Sequence, residues 1–248
     1  QAEDGIRDAL VGLVGSEMCI RDRSTQTLAE LQAFPEGAAI EIPPRHKIVG
    51  DVHLVNIAGS PLSTSLSFDI ETVEEDEVQI RLRPISFTNT ALDIEPRAES
   101  RFTMTCDLGG QFQGLLGQAP EYNIYYVLAH YHEWGNYFRL GFVDDTDEER
   151  TIFELANSVG EPLGTTLDPP IPSQGASKLR VECGYLNDTD RRLRYGLGGQ
   201  EMCVFLAYSD ADLVIGAASA ENTPVGQDAN GIYRNETACG AVLAVPAR

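Results

Sequence analysis

The sequence predicts an all-β protein, an antiparallel, jelly-roll-like β-sandwich preceded by part of another β-sandwich. Three observations predict it. From Ile40 onward, short runs rich in β-branched and aromatic residues are separated by Pro, Gly, Asn and Asp. Helical periodicity is nearly absent. The 248 residues, 42% hydrophobic with 23 Gly and 13 Pro, can bury one large all-β core or one and a half smaller ones.

Taken in order, residues 1–23 contribute no element. The stretch from Ala2 to Asp8 and on through Ser16 to Arg23 reads as translated sequencing-adapter sequence. An amphipathic helix carrying Ile6, Leu10, Leu13 and Val14 on one face is weakened by Gly12 and Gly15. Strands are then expected at Lys47 to Asn56, Leu62 to Glu71, Val78 to Pro84, Arg101 to Asp107 and Tyr122 to His132. Further strands are expected at Tyr137 to Val143, Ser177 to Tyr185, Met202 to Tyr208 and Ala238 to Ala244. The breaks are Ala58 to Pro61, Glu95-Pro96, Asp168 to Pro172 and Gly196 to Gly199. The acidic run Glu74 to Glu77 marks a domain junction, giving 24–76 as the last strands of a truncated first domain and 77–248 as the second sandwich.

Charge narrows the partners. With 18 basic and 38 acidic residues the net charge is -20, which repels nucleic-acid phosphates and anionic lipid surfaces. No run of 18 or more apolar residues provides a membrane span. The acidic blocks Glu74 to Glu77 and Asp144 to Glu149 lack the glycine and terminal glutamate spacing of a calcium loop and read as solvated turns. Asn187 and Asn235 head matches to the glycan-acceptor pattern, which is too short to be informative. Of five cysteines, Cys19 falls in the adapter stretch, leaving four.

The chemistry-bearing pattern starts with His130-Tyr131-His132. Within a strand, a period of two puts both imidazoles on one face and Tyr131 on the other. Met202 opens a later strand after a glycine-rich turn. Alone, the histidines read as a facing polar pair and Met202 as a core gap-filler. Together, two imidazoles and a soft thioether select copper.

Here a resemblance becomes specific. Tyr126 to Gly135 resembles the His-x-His-x-x-Gly strand of the copper type II, ascorbate-dependent monooxygenases. Cys183-Gly184-Tyr185-Leu186-Asn187, followed by Gly198-Gly199-Gln200-Glu201-Met202-Cys203, is similar to that family's Cys, Asn, Gly, Glu-Met-Cys signature. The family includes peptidylglycine α-hydroxylating and dopamine β-monooxygenases, and the likeness covers roughly residues 35–240. It implies that His130, His132 and Met202 hold a catalytic copper, with O2 and ascorbate or a similar donor used to hydroxylate a substrate C–H bond. It also implies the bridges Cys183–Cys203 and Cys106–Cys239, hence an oxidising, secreted or periplasmic setting.

His53 resembles the last of three histidines for the family's second, electron-supplying copper. The other two would lie upstream in the missing part of the N-terminal domain, because His46 reads as a turn or strand-start residue. One copper is therefore expected in this fragment, two in the intact enzyme, and the fragment alone is expected to be inactive. Peptide-amidating members hold a substrate carboxylate with an Arg, an Asn and a Tyr where this chain has Leu128, Val204 and Leu206. An apolar set leaves such a charge unpaired, so the expected small-molecule substrate is not peptidylglycine. Two other readings are a non-enzymatic sandwich for copper binding or partner recognition, and a zinc hydrolase. The latter needs a third His or a carboxylate by the pair, and Glu133 falls on the opposite face from His132.

Overall fold

The structure is a computed structural model that describes residues 31–42, 44–45, 60–61, 63, 65, 67, 69–159, 161–219 and 221–244. The adapter-like stretch, the expected strand Lys47 to Asn56, His46 and His53 lie outside these residues. The described chain folds as a β-sandwich of two stacked sheets with one short helix.

The strands are β1 (Ala38–Ile40), β2 (Ile80–Asn89), β3 (Asp93–Ile94), β4 (Ala98–Asp107), β5 (Asn123–His130), β6 (Gly135–Val143), β7 (Glu149–Leu155) and β8 (Gly164–Pro172). They continue with β9 (Lys178–Asn187), β10 (Leu193–Arg194), β11 (Val204–Ser209), β12 (Val214–Ser219), β13 (Asn222–Gln227), β14 (Tyr233–Thr237) and β15 (Gly240–Ala244). One sheet runs β15-β12-β2-β11-β5-β8, with β1 also pairing β2; the other runs β13-β14-β4-β9-β6-β7; β3 and β10 form a two-stranded pair. Most pairs are antiparallel, and β1–β2, β12–β2 and β14–β4 are parallel.

Period-two alternation builds the core. Along β9, Leu179, Val181, Cys183 and Tyr185 are buried on one face while Lys178, Arg180 and Glu182 share the other. From the opposite sheet, Phe87 and Phe205 pack at 5.9 Å, and Phe205 stacks on Phe138 of β6 at 6.0 Å, which joins the layers. The bridge Cys183–Cys203 ties β9 to the entrance of β11, so it crosses between the two sheets. Cys106–Cys239 ties the end of β4 to the loop between β14 and β15. Two such bridges indicate an oxidising, extracellular-type environment. No helix among the described residues is long and apolar enough to cross a membrane.

Several elements differ from expectation, each for a physical reason. Of the expected strand Leu62 to Glu71, the described residues Ser63, Ser65, Ser67, Asp69, Ile70 and Glu71 are exposed and carry no strand, their backbone groups having no ladder partner. The helix α1 (Gly109–Leu116) arises in a glycine-rich segment of poor intrinsic propensity. It is held by the single buried Phe112, stacked on Tyr122 at 5.9 Å, and ended by Gly117 at φ 70. Asp168 to Pro172, expected as a break, is part of β8, an edge strand where proline removes no needed ladder bond. The acidic run from Asp144 is a turn, closed by Asp144 Oδ1 accepting from Thr146 and Glu148 N–H, until Glu149 starts β7. The small and polar residues of β12, β13 and β14 carry little strand signal, yet they pair. Both glycan-acceptor asparagines are buried: Asn187 Nδ2 donates to the Glu95 and Arg191 carbonyls, and Asn235 Nδ2 to the Arg101 carbonyl.

Candidate metal centre

The sequence expects both histidines inside a strand, but β5 ends at His130. Tyr131 to Trp134 form a turn in which Gly135 N–H donates to the His132 carbonyl at 3.1 Å. The reason lies in Glu201. Its carboxylate takes the His132 N–H at 2.8 Å and the Trp134 N–H at 2.7 Å, bonds that would otherwise need a neighbouring strand. Gly135 is required here because a Cβ would overlap the ring of buried Tyr131, whose hydroxyl donates to the Asn157 carbonyl. The bend nevertheless keeps the imidazoles together, with ring centroids 5.4 Å apart and planes at 81°.

Met202 lies two residues before the neighbouring strand β11. In the antiparallel β5–β11 pair, Val204 lies opposite His130. Beyond that pair both chains leave the ladder, and Glu201 links them, its Oε2 accepting the His132 and Met202 N–H groups. Both histidines and Met202 are half-buried. The Met202 segment is fixed on several sides: Tyr185 Oη–H donates to its carbonyl at 2.7 Å, Asn89 N–H to the Cys203 carbonyl at 2.9 Å, and Cys203 is bridged to β9. The preceding turn, with Gly196 at φ 153 and Gly198 at φ 69, is closed by reciprocal bonds between Glu201 and the Arg194 to Gly196 backbone.

Electrostatics add detail. His132 Nδ1 lies 2.8 Å from the Gln200 carbonyl. A carbonyl only accepts, so Nδ1 carries the proton and the lone pair is on Nε2. That is the arrangement of a metal-ligating imidazole whose other nitrogen is anchored by the protein. Burial pushes the Glu201 carboxyl up to about 7 against three backbone N–H bonds that favour its charged form. Trp134 flanks the turn, its indole N–H on Asp188 at 3.1 Å and the Arg191 guanidinium over its ring at 5.7 Å.

Among the described residues, no three His, Cys, Asp or Glu side chains gather as a metal site. Met202, a soft donor type, belongs to the segment that Glu201 ties to the His132 turn. Leu128 and Leu206 face each other across β5 and β11 on the same side of the sheet as His130 and Val204, and both are buried. Glu133 is exposed. What sequence reasoning missed is the use of Gln200 and Glu201. They stand beside Met202 in the quoted signature, but nothing in their spacing signals a bond to a turn some 70 residues earlier. A search of protein-family models finds no match for this chain, and neither does a search of curated proteins.

Proposed function

We propose that this chain is the catalytic copper-binding part of a secreted monooxygenase that hydroxylates a substrate C–H bond, using O2 and an ascorbate-like reductant. His130, His132 and Met202 are its copper ligands. What supports this reading is a pair of half-buried imidazoles 5.4 Å apart and a shared contact, Glu201 Oε2 accepting the N–H groups of both His132 and Met202. Copper, when bound, supplies one-electron redox chemistry toward O2.

The chain's own residues do the rest. His132 offers Nε2 because Gln200 holds Nδ1–H. Met202, a weak and soft donor, favours the reduced ion over zinc or magnesium. Leu128, Val204 and Leu206 form an apolar flank in which a substrate carboxylate has no partner, which supports a neutral small-molecule substrate and argues against peptidylglycine. Electron supply through a second copper would draw on His53.

Copper titration of the reduced protein followed by X-ray absorption is the test. The expected result is one Cu(I) per chain with two nitrogens and one sulfur, the sulfur disappearing in Met202→Ile while the fold is retained. Sulfur persisting in Met202→Ile would mean a cysteine ligand and overturn the assignment.

A further inference from the structure

We infer that Glu201 is a positioning residue, its two carboxylate oxygens binding the His132 turn and the Met202 segment into one unit so that imidazole and thioether can meet a single ion. The inference rests on the copper reading and adds to it the group that assembles the ligand set. Glu201 is fully buried. Its Oε2 accepts the His132 N–H at 2.8 Å and the Met202 N–H at 3.3 Å, and its Oε1 accepts the Trp134 N–H at 2.7 Å. The two prospective ligands it touches come from separate chain segments, and it touches each at the backbone N–H of the ligand residue itself.

The neighbouring residue completes the device. The Gln200 carbonyl orients the His132 ring, while the Glu201 carboxylate orients the His132 backbone. Those two contacts set both the position of Cα and the direction of the ring. Reciprocal backbone bonds with Arg194 and Gly196 hold Glu201 itself. A carboxylate is needed because both oxygens must accept. Gln offers one acceptor, and its amide N–H₂ would face the N–H of either the His132 or the Trp134 peptide.

Glu201→Gln is therefore the informative variant, read in two ways. In the metal-free protein, nitrogen-15 NMR of the imidazoles is expected to show His132 as the Nδ1–H tautomer in the wild type and as a tautomer mixture in Glu201→Gln. On Cu(I) addition, affinity is expected to fall about 10- to 100-fold and the sulfur signal to weaken, with circular dichroism and both disulfides unchanged. Wild-type tautomer, affinity and sulfur signal in Glu201→Gln would overturn the inference. Should that variant fail to fold, amide hydrogen exchange of the wild type decides. The His132 and Trp134 amides are expected to be protected relative to Glu133, and equal exchange at all three would overturn the inference. A wild-type protein that binds copper without sulfur defeats the copper reading, whereas the tautomer and exchange results still decide the hold of Glu201 on His132.

Discussion

The two outer faces of the sandwich are built on opposite principles. On the six-stranded sheet, arginines and acids interlock: Arg139 and Arg234 reach Glu182 at 3.0 and 3.1 Å, Arg180 reaches Glu149 at 2.8 Å, and Arg101 pairs with Glu99 at 2.6 Å while lying 4.2 Å over the Tyr137 ring. On the seven-stranded sheet, Leu128 faces Leu206 and Tyr126 faces Tyr208, with Phe34 packed 5.4 Å from the Tyr208 ring and His130 at the end of the same face. The first face pairs its arginines with its acids, with Arg139 Nε and Glu149 Oε1 3.5 Å apart and without a hydrogen bond. The second is lined by apolar and aromatic side chains along β5 and β11, with Ser86 and Thr88 of β2 on the same face. On the proposed copper reading, the chemistry belongs at the end of this face.

The contrast can be broken most strongly by opening the apolar face. Leu128→Ala, at a position only 1% exposed, is expected to cost about 3 kcal/mol of stability, measured by urea unfolding, because a cavity opens in a packed layer. On the other face Glu182→Ala strands Arg139 and Arg234. These arginines are about a third exposed, so water screens them and the expected cost is smaller, about 2 kcal/mol. A thermal melt in low and high salt sharpens the difference: the deficit of Glu182→Ala should shrink with added salt and that of Leu128→Ala should not. At the bottom of the scale, Arg81→Ala removes exposed pairs to Glu41 and Glu75 and should change stability by less than about 0.5 kcal/mol.

The same contrast explains what could be read from the sequence. Strands whose alternation is written in large residues, such as β5, β6, β9 and β11, were legible because burial and periodicity agree there. β8 was not, since its prolines signal a break and only its edge position makes them tolerable. In β12 only Val214 and Ile215 carry strand propensity, and Gly216, Ala217 and Ala218 pair because β2 and β15 flank them. α1 depends on one buried phenylalanine. At the candidate site, residue types and spacing pointed to His130, His132 and Met202, but the strand end at His130 did not show. It is caused by Glu201, a long-range side-chain acceptor, and period-two reasoning assumes that backbone bonds go to backbone. The charged face was legible only as composition, because which arginine meets which acid depends on the β4–β9–β6 register.

Two glycines give the finest test of the difference between the regions. A Cβ at Gly135 would overlap the Tyr131 ring, and a Cβ at Gly184 would overlap the Arg101 guanidinium. The obstacle at Gly135 is rigid, since Tyr131 is fully buried and tied by its hydroxyl to Asn157. Gly135→Ala must therefore move the turn that carries His132, at an expected cost of about 1 to 2 kcal/mol and with a shifted His132 imidazole signal by NMR. The obstacle at Gly184 is the far end of a flexible side chain on a charged surface. Gly184→Ala should displace Arg101 from Tyr137 and change stability by less than about 1 kcal/mol, leaving the His132 signal in place. If the two substitutions proved equal in cost, or if Gly184→Ala disturbed His132, the separation between a structural face and a chemical rim would fail, because strain would then be passing through the core from one sheet to the other.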